Sequence, residues 1–426
     1  MSTTDHHGPI QHPFFVNANI ISALPYKDAR DPTLRSLIVF SFSSISLNNA
    51  STYARGLLFH GGMNGTRNCI KLPIFPDRLK MSIVYATRAC TKEDIIRSHA
   101  ELNAKVRDSQ VAPERAEKVH DILDTYFGAP DILDSDDLNQ QCMKINYRMW
   151  PALFSGPGQI PDLIYIDVES LVRRLLIRRH LLNSGSLMYK IIFDPAYRKL
   201  ALRYFNNIPG AFSLEKEWGS FLFWGIDANG HRVRLILKDN SLESYDGVLR
   251  FELTPDALNE ALAKRKIYPG MMLCYLMVSL YYGMKCLGGF CQVHDLTIMK
   301  VAWASLLREI GENGEADALE PVQTKELGGD GLVLSYMKTL TNELVPATGI
   351  DMLIEPNGDQ SYEHYLALSK KVTLEEMMQP MLPEMYSVLY AASERDPFLA
   401  TLLPEQIGEW TGLREKLMES AQQRRI

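Results

Sequence analysis

Between Cys286 and Asp295 the chain gathers two thiols, an amide, an imidazole and a carboxyl within ten residues. Cys286, Cys291 and His294 are all metal-competent. Structural zinc sites, however, use two close ligand pairs, and no second Cys/His pair lies nearby in the sequence. Buried thiols are the alternative for both cysteines. Gly288-Gly289 would let backbone N–H groups approach an anion or a planar ligand. Gln292 is suited to clamp an amide, carboxylate or sugar hydroxyl. His294 is suited to act as general base, oriented by Asp295.

Two other segments invite chemistry. Asp167 ends the run Leu163-Ile164-Tyr165-Ile166, which reads as a strand. A carboxylate at that end of a parallel strand lies where α/β folds bind ligands, although Asp167 could equally cap the helix that follows. Glu169 stands in the same Ile166–Ser170 segment. Asp194 has the same relation to Leu187–Phe193, and two such acids could share Mg²⁺ if a nucleotide binds. The loop Gly61–Gly65, with Thr66, is flanked by Arg55, His60 and Arg67, a set able to hold an anion. It lacks the lysine and spacing of a phosphate-binding P-loop, and no Gly-x-Gly-x-x-Gly follows a strand. Gly-x-Ser-x-Gly and His-Glu-x-x-His are missing as well. Lys80-Met81-Ser82 is too short to mark a nucleotidyl-transfer enzyme, and His6-His7-Gly8 precedes every expected strand.

The elements that must position these residues follow from pattern. Leu37–Phe42, Cys69–Phe75, Leu79–Thr87 and Leu187–Phe193 read as strands. Thr91 caps a helix over 92–107, with Asp94 three residues on. Asp194-Pro195 and Thr254-Pro255 start helices, proline suiting the first turn. Phe221–Ile226 and His231–Lys238 flank Asp227-Ala228-Asn229-Gly230, a hairpin loop. The first 36 residues read as an irregular lead-in. Close strand spacing before residue 90 favours antiparallel or mixed pairing, and the order from 163 to 205 reads as strand–helix–strand–helix.

These patterns predict an α/β or α+β fold. A mixed sheet occupies the N-terminal and central regions, and the C-terminal region is mainly helical. Expected divisions are 1–155, 156–253 and 254–426, the first boundary falling at Ser155-Gly156-Pro157-Gly158.

Composition sets the outer limits. The chain has 426 residues, 46% hydrophobic and 23% charged, with formal charge -6. That is ordinary for a globular protein and argues against one devoted to nucleic acid. Six cysteines form no disulfide framework, and the start of the chain carries no secretory pattern, so a reducing cytoplasm is expected. The uncharged run Ile267–Met284 contains Pro269, Gly270 and four tyrosines, which fits a buried helix lining a pocket better than a membrane span.

The expected function is an enzyme, a transferase or ligase, acting on a small polar or anionic metabolite. Group transfer involving a nucleotide or an activated carboxylate fits the glycine loops and arginines. One alternative is a binding protein that holds nucleic acid or an acidic partner through Arg173–His180 and Arg232, Arg234 and Lys238. The other is an assembly protein, with homo-oligomers formed through the apolar run.

Overall fold

The computed structural model describes residues 2–28, 35–63, 69–155, 160–329, 332–338, 344–355, 360–379, 382–402 and 404–422. Helices and strands mix throughout, as expected for an α/β or α+β protein.

Four strands form the parallel sheet that organises the molecule. They are β1 (Ser2–His6), β2 (Ser36–Phe42), the later strand Asp162–Asp167 and the short strand Cys286–Leu287. Between β2 and Asp162–Asp167 comes an antiparallel hairpin, β3 (Gly56–His60) and β4 (Cys69–Pro73), so Asp162–Asp167 is β5 and Cys286–Leu287 is β6. Across the parallel sheet the order is β6-β1-β2-β5. All three regions of the chain therefore contribute to one sheet.

The strand alternation sorts side chains between two cores. Leu37, Val39, Leu163 and Tyr165 join one core, with Val16 and Ile20 of α1 (Pro13–Asp28) and Ile145 and Met149 of α2 (Leu138–Ala152). Phe40, Ile38 and Ile166 face the other, with Val168 and Val172 of α3 (Val168–Leu175) and Leu296 and Trp303 of α4 (Phe290–Glu309). Helices thus cover both faces, the usual condition of a parallel sheet.

The second core also receives a five-stranded antiparallel sheet. Its order is Arg250–Glu252, Ser241–Ser244, Arg232–Lys238, Phe223–Ile226 and Ile267–Pro269. The hairpin at 223–238 is as the sequence predicts. Thr91 and Asp94 form a reciprocal capping box on helix Lys92–Arg107, and helix Pro195–Phe205 begins at its Asp-Pro cap.

Four expectations are corrected. The lead-in is not irregular, since it supplies β1 and α1. Its strand is polar, and Thr4 donates its hydroxyl to Leu287 O across the sheet (2.9 Å). Leu187–Phe193 is helical. Its buried residues, Leu187, Met188, Ile191 and Ile192, recur every four positions and make one helical face. The parallel signal therefore comes from β1, β2, β5 and β6, not from the 163–205 order. Residues 79–87 form tight turns rather than a strand. The apolar run opens as the strand Ile267–Pro269 and continues as helix Met271–Tyr275, then as a wider π-helical turn over Leu276–Tyr281. Among the described residues, no helix is long and apolar enough to cross a membrane.

Candidate functional site

Parallel strands bring their carboxyl ends to one edge of the sheet. There Asp5, Ser41 and Asp167 pair in register on neighbouring strands and share one face. The chain beyond β1 and β2 continues the edge, with His7 N donating to Phe42 O (2.9 Å). Residues 83–87 lie over it, since Tyr85 N donates to Ser43 O (2.9 Å). From the other side comes the first turn of α2, which carries Asn139.

These residues form one buried hydrogen-bond network. Asp167 accepts from the Ser43 hydroxyl (2.6 Å), from Asn139 Nδ2 (3.0 Å) and from Ser170 N (3.3 Å). The last bond is the helix cap anticipated from sequence. Glu169 accepts from Ser43 N (3.0 Å) and Ser44 N (3.1 Å). Burial, and then the neighbouring Asp167 carboxyl, push the Glu169 pKa well above the usual carboxylate range. Both effects favour the protonated form of Glu169.

His7 is fully buried, and burial lowers its pKa despite the charge of Asp167. Its Nε2 faces the Asn139 carbonyl oxygen (3.0 Å), which can only accept, so Nε2 carries the proton of the neutral ring. Nδ1 is then the acceptor, and the Ser41 hydroxyl donates to it (2.5 Å). A hydroxyl donating to an oriented imidazole is the arrangement that activates an oxygen or relays a proton.

Buried polar atoms without a partner border this network. Among them are Asn139 Oδ1, Tyr268 Oη and Arg173 Nε. The Tyr268 ring centroid is 5.4 Å from that of Tyr85, and burial, then the nearby Glu169 carboxyl when ionised, raise the Tyr268 pKa. The Arg173 cation acts on Tyr85. Buried polar groups are nearly always hydrogen-bonded, so unmatched donors and an unmatched acceptor beside an acid pair leave positions that water or a polar ligand can fill.

The other sequence candidates fall in different places. Gly288 and Gly289 lead from β6 into α4, at the same carboxyl edge of the sheet. Three strand spacings separate β6 from β5, about 14 Å at the usual spacing. Gln292 turns inward, where its amide oxygen accepts from Tyr275 Oη (2.9 Å) and touches the Thr4 hydroxyl. Thr4 alternates with Asp5, so this amide lies on the opposite face from Ser41 and Asp167. A side chain at Gly288 would strike the Gln292 amide, so the glycine there makes room for Gln292. His294 meets Asp295 (Nδ1 to Oδ1, 3.1 Å), but its side chain is 63% exposed. Burial raises the Asp295 pKa.

Arg55 donates to Phe75 O (2.9 Å) and pairs with Asp77 (3.0 Å). His60 pairs with Asp351 (2.7 Å). Arg67 and the loop residues 156–158 lie outside the described residues. Asp194 caps its helix through Ala196 N (2.8 Å). Among the described residues no group of three or more His, Cys, Asp or Glu side chains is placed to hold a metal ion.

Sequence reasoning singled out Asp167 and quoted Glu169 beside it, but missed His7, Ser41, Ser43 and Asn139 as members of a site. The signal available was position, because each directly follows or ends a strand of the parallel sheet or opens a helix. No protein-family model matches the chain, and no curated protein matches it either.

Proposed function

We propose that the protein is an enzyme that transfers a group to or from a small anionic metabolite bound at the carboxyl edge of its parallel sheet. The observation that carries this reading is the buried Asp167–Glu169 pair with unmatched polar atoms beside it. In this reading Glu169 donates a proton to the leaving group. The Ser41 hydroxyl and His7 accept one from the attacking group. Arg173 offers Nε to the anionic group of the substrate, with Tyr268 Oη as a second donor. A nucleotide or an activated carboxylate has such a group. A reducing cytoplasm belongs to the same reading, because six cysteines in 426 residues make no disulfide framework.

The test is to incubate the protein with a small-molecule cell extract and follow each metabolite by mass spectrometry. We expect at least one anionic metabolite to be consumed by the wild type and left intact by a folded Glu169→Gln variant. Equal consumption by that variant would remove Glu169 from the chemistry. Consumption of nothing by the wild type would count against an enzyme.

A further inference from the structure

A second cluster of reactive side chains lies at the loop end of the β3–β4 hairpin, and the proposed function does not use it. His60 and Cys69 are cross-strand partners there. The His60 backbone N–H turns away from β4 and donates to Asp351 Oδ1 (2.9 Å). The pair is therefore of the non-hydrogen-bonded kind, in which opposing side chains stand closest. The Cys69 Sγ is 3.6 Å from His60 Nε2. On the other side of the ring, His60 Nδ1 is 2.7 Å from Asp351 Oδ2. Thiol, imidazole and carboxylate thus stand in line.

The carboxylate is rigidly held. Asp351 sits in the first turn of α5 (Gly349–Ile354), where it forms a capping box with Thr348. The Thr348 hydroxyl donates to Asp351 Oδ2 (2.8 Å), and Arg115 Nη2 donates to Oδ1 (2.7 Å). Arg115 Nε also donates to His60 O (2.9 Å), which fixes the histidine backbone. His60 and Asp351 are buried, whereas Cys69 is only partly so. Nucleophile, base and orienting acid are the three roles of a thiol-based catalytic triad, which is recognised by geometry rather than by sequence order.

We propose that Cys69 is a nucleophile that takes an acyl group from an activated carboxylate, with His60 as its acid–base partner and Asp351 as the positioning residue. Burial alone would lower the His60 pKa, but its bonds to Asp351 and Cys69 raise it to about 10. The step begins with transfer of the Cys69 proton to His60 Nε2, 3.6 Å from the sulfur. Sulfur bonds to the acyl carbon, the bond from that carbon to the leaving group breaks, and the leaving group takes the proton from His60 Nε2. A thioester and a neutral imidazole result. Water then attacks the same carbon and gives its proton to Nε2. The carbon–sulfur bond breaks, which frees the acid and restores the ion pair.

The test is the rate of Cys69 alkylation by iodoacetamide from pH 6.5 to 8.5, read by peptide mass mapping on the folded full-length protein. An ordinary thiol with pKa near 8.5 should speed up about fifty-fold across that range. We expect Cys69 to change less than about threefold, and the steep profile to return in His60→Gln. At pH 6.5, p-nitrophenyl acetate should release p-nitrophenolate and leave one acetyl group on the Cys69 peptide. A steep wild-type profile overturns the proposal. So does the absence of reaction at every pH, or acetylation only at other residues. If His60→Gln does not fold, the wild-type profile and the acetylation site still decide. None of these readouts depends on Glu169 or on the sheet edge.

Discussion

At the carboxyl edge of the parallel sheet, Glu169 is buried beside a second acid. At the end of the β3–β4 hairpin, Asp351 is buried between two basic side chains, His60 and Arg115. Burial in the first region favours the protonated acid, whereas the second manages charge by ion pairing. The two histidines divide the same way. Burial depresses His7, whose ring partners are a hydroxyl and a carbonyl, while Asp351 and Cys69 together outweigh burial at His60. The residue types are nearly the same in both places. Their chemistry differs because their neighbours differ.

The comparison breaks most visibly at Asp351. Asp351→Ala should cost about 3–5 kcal/mol, because it leaves the buried Arg115 and His60 without their carboxylate partner. Urea unfolding measures this, and a loss below about 1 kcal/mol would mean that the ion pair matters little. The Ser43→Ala change at the sheet edge should cost less, about 1–3 kcal/mol, since it removes one hydroxyl donor from a buried carboxyl. Glu169→Gln should cost about 1–2 kcal/mol, as it exchanges one neutral group for another and loses one acceptor for a backbone N–H. If Glu169→Gln proved as damaging as Asp351→Ala, Glu169 would have to be buried as an anion.

A pH series sharpens the contrast with smaller shifts. The folded pKa of His60 lies above its ordinary value of 6.5, near 10. Its stabilisation is therefore complete below pH 6.5 and lost as pH rises toward 10. His7 has the opposite sign. Its folded pKa is depressed, so its contribution is present above pH 6.5 and lost as pH falls below that value. We expect the Tm of His60→Gln to fall less than that of the wild type between pH 6.5 and 10. Parallel curves would show that His60 carries no extra proton in the folded protein.

Much of the local structure could be read along the chain. The apolar run at β2, the Thr91 cap and the Asp194-Pro195 helix start are local signals, decided by residues within one turn of each other. The misread elements had local signals that tertiary packing overrode. Strand β1 is polar, and its place in the sheet depends on pairing with β2 and with β6, which lies 283 residues away at the Thr4–Leu287 bond. The apolar residues 187–193 were short enough to fit either a strand or a helix, and packing against the second core selected the helix.

The candidate site shows the same division. Asp167 was legible because a carboxylate after an apolar strand is a pattern within six residues. His7 was not, because the group that fixes its tautomer, the Asn139 carbonyl, is 132 residues away. The role of His60 was hidden further still, with Asp351 lying 291 residues on. The sequence alone determined a mixed helix–strand chain, its main caps and turns, and a set of polar residues able to do chemistry. Only the tertiary structure decided which acid meets an acid, which meets a cation, and which histidine is neutral. Protonation depends on burial and on partners a few ångströms away, and in this protein those partners come from distant parts of the chain.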